Sequence, residues 1–146
     1  MKYVVAAVVA AVTLAPVASA SPQLGGQCPA GALTKQADAT VLTCSGGTWA
    51  PFDDPYPNSG IWVSDSAGIT LHGQGLRNPE IMSGPWTATP LDPSAVCSAE
   101  QAAVVSAGEV GPAQTTTGQP GQPLDLEVLP VVFNITLSGD CLWQKH

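Results

Sequence analysis

The chain has 146 residues, of which four are Lys or Arg and eleven are Asp or Glu, giving a formal net charge of −7 at pH 7. Nucleic-acid binding needs clustered basic side chains, so this composition argues against nucleic acid as a partner and predicts repulsion from anionic membrane surfaces. The length suits one compact domain with a small appendage rather than two full domains.

The first 20 residues have the pattern of an export signal. Lys2 precedes an apolar run from Val4 to Leu14, and Ala18-Ser19-Ala20 supplies the small residues after which signal peptidase cuts. We therefore expect a signal peptide over residues 1–20. An uncleaved membrane anchor is the alternative, but a spanning helix needs about 20 apolar residues and Pro16 interrupts the run. After cleavage we expect a secreted or cell-envelope protein with no membrane span.

All four cysteines lie in the part that would be exported, namely Cys28, Cys44, Cys97 and Cys141. In an oxidising compartment an even number of cysteines pairs, and four cysteines permit three pairings. We favour 28–44 with 97–141, because each bond then closes a segment that also forms a unit by its turns and apolar pattern. The two closed loops would contribute roughly 3 and 4 kcal/mol. Zinc sites need closer cysteine pairs, so we expect no metal and no cofactor.

Residues 21–50 are predicted to form a disulfide-stapled β-hairpin segment. The run Ala39–Cys44 is rich in β-branched residues, and Gly46-Gly47 separates it from Thr48-Trp49, as is typical of a hairpin. Residues 51–60 follow with three prolines, which remove backbone donors and fix φ. This segment is predicted to be a linker or a covering loop.

Residues 61–146 are predicted to form an antiparallel β-sandwich module, which makes the whole chain mainly β. Short apolar runs bounded by Gly, Pro or Asn indicate its first strands. They are Ile61–Val63, Gly68–Leu71, Ile81-Met82 and Trp86–Ala88. The next segment is ambiguous, because Ser98–Gln101 forms a capping box while Val104-Val105 favours a strand; we predict a short helix there. Residues 111–123 are predicted to be an exposed loop.

The C-terminal part has the clearest strand pattern, with a period of two. One run alternates apolar Leu124, Leu126 and Val128 with acidic residues. A second run predicts a buried face that continues across Gly139. Its inward residues would be Val131, Phe133, Ile135, Leu137, Cys141 and Trp143.

Two groups of motifs resemble small exported actinobacterial proteins, the mycobacterial ones among them. The first is Cys28-Pro-Ala-Gly31 followed by Val41-Leu-Thr-Cys44-Ser-Gly-Gly-Thr-Trp49. The second is similar to their secreted or lipid-anchored β-modules. It comprises Ile81-Met-Ser-Gly84-Pro-Trp86, Cys97, the strand Leu124–Val128 and Ser138-Gly-Asp-Cys141-Leu-Trp143.

The resemblance implies a β-sandwich whose first and last strands are joined by Cys97 and Cys141, with no assigned activity and no catalytic residues to transfer. This chain departs from the commoner pattern at two places. Trp86 stands where Tyr is usual, and Ser98-Ala99 stand where an aromatic residue follows the first cysteine. Because of these departures, the resemblance does not define the strand register around Cys97.

The candidate binding residues are Trp49, Trp62, Trp86 and Arg77. Indole rings, including Trp143, offer apolar faces to a sugar or an apolar ligand, although tryptophan is more often a core residue. Arg77 lies in the glycine-rich segment 73–79, where it would clamp an anion or serve as the reactive residue of a protease inhibitor. An ion pair with Glu80 or Asp65 is the favoured interpretation.

Catalysis has little support in the sequence. The only histidines are His72 and the terminal His146, and there is no G-x-S-x-G motif. A hydrolase would have to bring His72 and an acid together in one pocket. Asp53-Asp54 is interpreted as a solvated turn rather than as paired catalytic or calcium-binding carboxylates.

We therefore expect a non-enzymatic structural or binding module of the cell envelope or extracellular space. Its partner would be an unknown protein, a glycan or an apolar ligand. The alternatives are a carrier or recognition module for a glycan or apolar molecule, and a secreted hydrolase or protease inhibitor.

Overall fold

The computed structural model describes residues 21–146, so the predicted export signal lies outside the described residues. Within this range the chain is all β, with twelve strands and no α-helix. In chain order they are β1 (Leu33–Lys35), β2 (Val41–Ser45), β3 (Thr48–Pro51), β4 (Ile61–Ser64), β5 (Ile69–His72), β6 (Gly84–Pro90), β7 (Ser98–Ser106), β8 (Glu109–Val110), β9 (Gln114–Thr117), β10 (Leu124–Val128), β11 (Val132–Ser138) and β12 (Cys141–Lys145). Among residues 21–146 no helix has the length and apolar character needed to cross a bilayer.

The strands form two sheets. The larger has seven strands in the order β10-β6-β12-β4-β1-β2-β3, and the smaller has the order β5-β11-β7-β8, with β9 also paired to β7. All pairings are antiparallel except that of β1 with β4. Because β1 pairs with β4, residues before and after the proline-rich segment belong to one sheet. That segment contains no strand after Pro51.

The main hydrophobic core takes side chains from both sheets. Trp62, Trp86 and Trp143 come from the large sheet, and Leu71 and Ile135 come from the small one. All five are essentially inaccessible to solvent. Truncating a buried side chain of this size costs about 3–5 kcal/mol, so this core accounts for much of the stability.

A second hydrophobic cluster lies on the opposite face of the large sheet. In β4, Trp62 belongs to the main core whereas the next residue, Val63, belongs to the second cluster. The same switch occurs between Val41 and Leu42 of β2. Since neighbouring residues of a strand point to opposite faces, the large sheet is covered on both sides here. This outer cluster also contains Ala32, Cys44 and Trp49, and the partly buried Cys28, Ile61 and Leu142 pack against it.

Both predicted disulfides are confirmed, Cys28–Cys44 and Cys97–Cys141. The predicted hairpin is also confirmed as β2–β3, with Gly46 at φ 62° and Gly47 at φ 84° in its turn. Consecutive positive φ values favour glycine and match the twist of a two-residue hairpin. Cys97 precedes β7 of the small sheet and Cys141 begins β12 of the large sheet, so the second disulfide links the sheets covalently.

The helix predicted at residues 98–105 is wrong. The segment is strand β7, which pairs with β11 on one side and with β9 and β8 on the other. Its side chains alternate, with Ala99 and Gln101 buried and Glu100 exposed. The buried Gln101 amide donates to the Glu127 carbonyl at 2.9 Å and accepts from the Leu129 N–H at 3.0 Å. Pairing on both sides therefore overrides the local helix signal.

Three further predictions need correction. The exposed loop at 111–123 contains strand β9, because its threonines pair with the start of β7. Residues Ile81-Met82 form no strand, although Ile81 is buried. Val131 and Phe133 do not face the core. A bulge between Val132 and Asn134 shifts the alternation, so that Val132 is buried and Val131 is exposed.

Candidate functional site

Three of the four indoles are enclosed in the core. Trp62 donates to the Glu80 carbonyl at 3.1 Å, Trp86 to the Met82 carbonyl at 2.9 Å and Trp143 to the Ser64 hydroxyl at 2.8 Å. At most 1% of each residue is exposed. Because their rings are buried and their N–H groups are hydrogen-bonded within the protein, Trp62 and Trp86 are not available as a platform for a ligand.

Trp49 differs from the other three because it lines a groove. Its indole N–H makes no hydrogen bond within residues 21–146, and no buried side-chain nitrogen or oxygen in that range lacks a partner. This N–H therefore has no partner within the described range, although only 4% of the residue is exposed. The groove has a volume of about 580 Å³ and lies on the outer face of the large sheet.

One wall of the groove is the segment 21–29, which runs beside β3. Gly25 N–H donates to the Trp49 carbonyl at 2.9 Å, and Trp49 N–H donates to the Gly26 carbonyl at 2.9 Å. The Cys28–Cys44 disulfide fixes the end of this segment. A Cβ atom at Gly26 would lie 3.1 Å from the Gln23 carbonyl oxygen, so the close packing of this wall favours glycine. The backbone hydrogen bonds to Trp49 and the disulfide therefore hold segment 21–29 in place, although it forms no strand of its own.

Two further lining residues, Ser64 and Asp140, are held in place from the core side. Ser64 follows Val63 in β4, and its hydroxyl donates to the Gly139 carbonyl at 2.6 Å. Gly139 has φ 89°, and a Cβ atom there would lie 2.1 Å from the Val96 carbonyl oxygen, so only glycine fits. The turn that presents Asp140 is therefore rigidly placed. Leu91 is linked to the same turn, because its N–H donates to the Asp140 carbonyl at 2.8 Å.

Apolar side chains dominate the rim of the groove. Leu24 is 60% exposed and Leu91 is 47% exposed, and both line the groove. The buried side chains Trp49 and Val63 line it as well. Exposed leucines beside a cavity are a feature of sites that take apolar ligands.

Asp140 is the only charged side chain that lines the groove in the described part of the chain. Burial raises the pKa of its carboxyl group, and the negative charges of Asp92 and Asp65 raise that pKa further. Asp140 also lines a second cavity of about 410 Å³, whose lining includes three serines as well as Ala95 and Val96. The other side chains there include Asp92, where Oδ1 accepts from the Ser94 hydroxyl at 2.7 Å. The lining of the groove thus combines apolar side chains with the polar residues Ser21, Gln23, Gln27 and Ser64 and with one carboxyl side chain, that of Asp140.

A second candidate site contains the acid and histidine that a hydrolase would need. His72 Nδ1 lies 2.7 Å from Glu80 Oε1, and Lys35 Nζ lies 3.0 Å from Glu80 Oε2. His72 and Glu80 line a cleft of about 320 Å³ together with Tyr56 and Arg77. A histidine and an acid therefore lie together in one cleft, as the hydrolase alternative requires.

The surroundings of His72 do not favour catalysis. Its Nε2 lies 2.6 Å from the Asn78 carbonyl oxygen, which has no proton to give up. No Ser, Thr or Cys side chain is among the described residues that line this cleft. Glu80 is only 4% exposed and also accepts the His72 N–H at 3.1 Å. The cluster ties β1, β5 and the 73–79 loop together.

Arg77 does not form the favoured ion pair. Glu80 is occupied by Lys35 and His72, and Asp65 accepts the N–H groups of Ala67 and Gly68 in its own turn. Arg77 is exposed and has no ion pair among the described residues.

The loop around Arg77 is compact rather than extended. Leu76 N–H donates to the Gly73 carbonyl at 3.1 Å, and Asn78 has φ 52°.

The Asp53-Asp54 pair lies in a turn, as the sequence predicted. Asp54 accepts the Tyr56 N–H at 2.9 Å. Within residues 21–146 no group of three or more His, Cys, Asp or Glu side chains is arranged to hold a metal ion.

Sequence reasoning missed most of the groove. Leu24, Leu91 and Val63 carry no local signal of a site, because they converge only through the sheet topology. Asp140 was recognised in the motif around Cys141 but not as a site residue. The Lys35–Glu80 pair also went unpredicted, since the two residues lie far apart in sequence.

Comparison with known proteins finds no family model, no curated protein and no solved structure that matches this chain.

Proposed function

We propose that this chain is an exported binding module, secreted or retained in the cell envelope, whose two sheets form a disulfide-braced β-sandwich. Its groove beside Trp49 takes a small apolar ligand, and the protein acts as a carrier or recognition module without catalysis. The observation that carries this proposal is the apolar groove of about 580 Å³, with exposed leucines at its rim.

Export is supported by the N-terminal pattern and by the disulfides. Both disulfides are formed, and no cysteine in the described range is free. Such bonds persist in oxidising compartments. The resemblance to small exported actinobacterial proteins agrees with this location, and it is part of the proposal.

Binding is favoured over hydrolysis by the second site. A general base needs a free nitrogen facing a substrate or nucleophile, whereas His72 uses both ring nitrogens on Glu80 and on the Asn78 carbonyl. We therefore assign the His72–Glu80–Lys35 cluster a structural role.

An apolar ligand is favoured over a glycan by the chemistry of the groove. Small-molecule sites typically have volumes of about 300–1,000 Å³, mostly apolar linings and a few polar groups. The Trp49 N–H is one such group, since it can donate to an acceptor on the ligand. The exposed rim residues Leu24 and Leu91 are aliphatic and provide no aromatic platform for a sugar ring.

Indole NMR signals provide the test. The chain has four tryptophans, and the Trp49 Nε1–H signal is assigned from a Trp49→Phe variant. On titration with 1-octanol we expect that signal to shift while the other three stay unchanged. Leu91→Asn should weaken the binding at least about tenfold, because it places a polar group in the apolar wall.

Leu76→Asn is the matched control, because Leu76 is 42% exposed but lies in the 73–79 loop outside the groove. It should bind octanol as the unmodified chain does. A Trp49 signal that does not respond, or a Leu91→Asn variant with unchanged affinity, would overturn the proposal.

A further inference from the structure

We propose that the cleft beside Arg77 is a second binding site, which takes a small aromatic carboxylate with a single negative charge. The cleft has a volume of about 320 Å³. Its lining comes from residues 55–57, from the 73–79 loop, and from His72 and Glu80. No described residue lines both this cleft and the groove beside Trp49, so the proposal stands independently of the proposed function.

The positive charge of Arg77 is not neutralised within the described chain. Arg77 is exposed and forms no ion pair or hydrogen bond among residues 21–146. Glu80 is the only acid among the described residues that line the cleft, and its carboxylate already contacts Lys35 Nζ at 3.0 Å and His72 Nδ1 at 2.7 Å. Since Lys35 balances the charge of Glu80, the charge of Arg77 remains available to a ligand.

The backbone that follows Arg77 is anchored. The Asn78 carbonyl oxygen lies 2.6 Å from His72 Nε2, and the Pro79 carbonyl accepts from Asn58 Nδ2 at 2.7 Å. An ordered backbone presents the guanidinium group to the cleft without first having to be fixed by the ligand. Such preorganisation lowers the entropic cost of binding.

The neighbouring groups suit a carboxylate that is joined to a ring. The Tyr56 hydroxyl and the Asn78 side-chain amide make no hydrogen bond within the described chain, so each has a donor to offer a ligand in the cleft. Tyr56 is 62% exposed and lies between Pro55 and Pro57, which also line the cleft. The phenol ring and the two prolines provide apolar surface on which an aromatic ring can pack.

Electrostatics select a carboxylate with a single charge. A guanidinium group donates two parallel hydrogen bonds to the two oxygens of a carboxylate. The whole chain carries a formal charge of −7, which repels a dianion more strongly than a monoanion. A phosphate monoester carries a charge of about −1.5 to −2 at pH 7, so one arginine compensates it only in part.

Arg77 itself reports binding, because it is the only arginine in the chain and gives a single Nε–H signal in NMR spectra. We expect benzoate to shift this signal and to saturate the shift. Benzamide, the neutral analogue, should bind about tenfold more weakly, because it lacks the charge-assisted hydrogen bonds to Arg77. Acetate, which has no ring, and phenyl phosphate, which has a larger charge, should also bind more weakly than benzoate.

Variants at Arg77 test the site, with the Asn78 side-chain amide signal as the readout. Arg77→Gln should lower the affinity for benzoate about tenfold. It removes no hydrogen bond of the described chain, so it should fold normally. Arg77→Lys should give an intermediate affinity, because it keeps the charge but not the planar pair of donors. Lys145→Gln is the matched control, since it removes one positive charge outside the cleft and should leave the affinity unchanged.

Several outcomes would overturn the proposal. The first is an Arg77 signal that benzoate does not shift, or that benzamide shifts at equal concentration. The second is tighter binding of acetate or phenyl phosphate than of benzoate, because the ring or the single charge would then not be recognised. The third is an equal loss of benzoate affinity in Arg77→Gln and Lys145→Gln, because the overall charge rather than the cleft would then control binding.

Discussion

The Ser64 hydroxyl accepts a hydrogen bond from the Trp143 indole at 2.8 Å and donates one to the Gly139 carbonyl at 2.6 Å. Trp143 is fully buried in the main core, and the buried Ser64 is also one of the residues that line the groove. One side chain therefore connects the core to the turn that presents Asp140.

Replacing this hydroxyl should destabilise the protein. In Ser64→Ala the buried Trp143 N–H loses its acceptor, so we expect the free energy of unfolding to fall by about 1–3 kcal/mol in urea denaturation. Ser66→Ala is the control, because Ser66 is exposed, and it should change stability by less than about 0.5 kcal/mol. Equal effects of the two variants would contradict the role given to Ser64.

The buried Glu80 carboxylate should be needed for stability rather than for chemistry. In Glu80→Gln, Lys35 and His72 lose their charged partner while Lys35 remains mostly buried, so we expect a loss of about 2–4 kcal/mol. Adding Lys35→Met should recover part of that loss, because the uncompensated cation is removed. Glu127→Gln on the exposed face of β10 serves as the control. A Glu80→Gln protein as stable as the control would show that the cluster contributes little.

The Cys28–Cys44 disulfide should affect the groove more than the core. Replacing both cysteines by Ala removes the covalent bond that holds the 21–29 wall. We expect the free energy of unfolding to fall by about 3 kcal/mol, because the unfolded chain gains the entropy of an open loop of this size. We also expect weaker binding of 1-octanol, because one wall of the groove is no longer held. The indole signals of Trp62, Trp86 and Trp143 should keep their positions. If binding is unchanged while stability falls, the wall does not depend on the staple.

The raised pKa of Asp140 predicts how the stability of the chain depends on pH. Ionisation of Asp140 is less favourable in the folded chain than in the unfolded chain, so the carboxylate costs stability once the pH rises above the ordinary Asp range. Asp140→Asn should therefore be more stable than the unmodified chain at pH 7, by about 0.5 kcal/mol or less because the group is partly solvated, and the gain should vanish at low pH. Urea denaturation at pH 3 and pH 7 measures the difference. A larger gain at pH 3 than at pH 7 would have the wrong sign.

The sequence predicted those parts of the fold that depend on local pattern. Leu126 and Val128 are buried between exposed acids because alternation alone decides which face of β10 is inside. The hairpin at Gly46-Gly47 and the two disulfides were predicted for similar reasons, from turn chemistry and from an even cysteine count. Here the local signal and the final structure agree.

The failures have a common physical cause. The strand state of β7 depends on pairing with β9 and β11, which lie far along the chain, so its capping-box residues were misleading. The bulge at Val132 moved the buried position by one residue, which no alternation pattern indicates. The groove is a tertiary feature of the same kind, since Leu24 and Leu91 become neighbours of Trp49 only when the sheet forms.

The most direct test of the central claim is a crystal structure of the chain with 1-octanol. The account predicts that the octyl chain lies in the groove against Trp49 and Leu91. An empty groove in crystals that hold the alcohol elsewhere on the protein would contradict it.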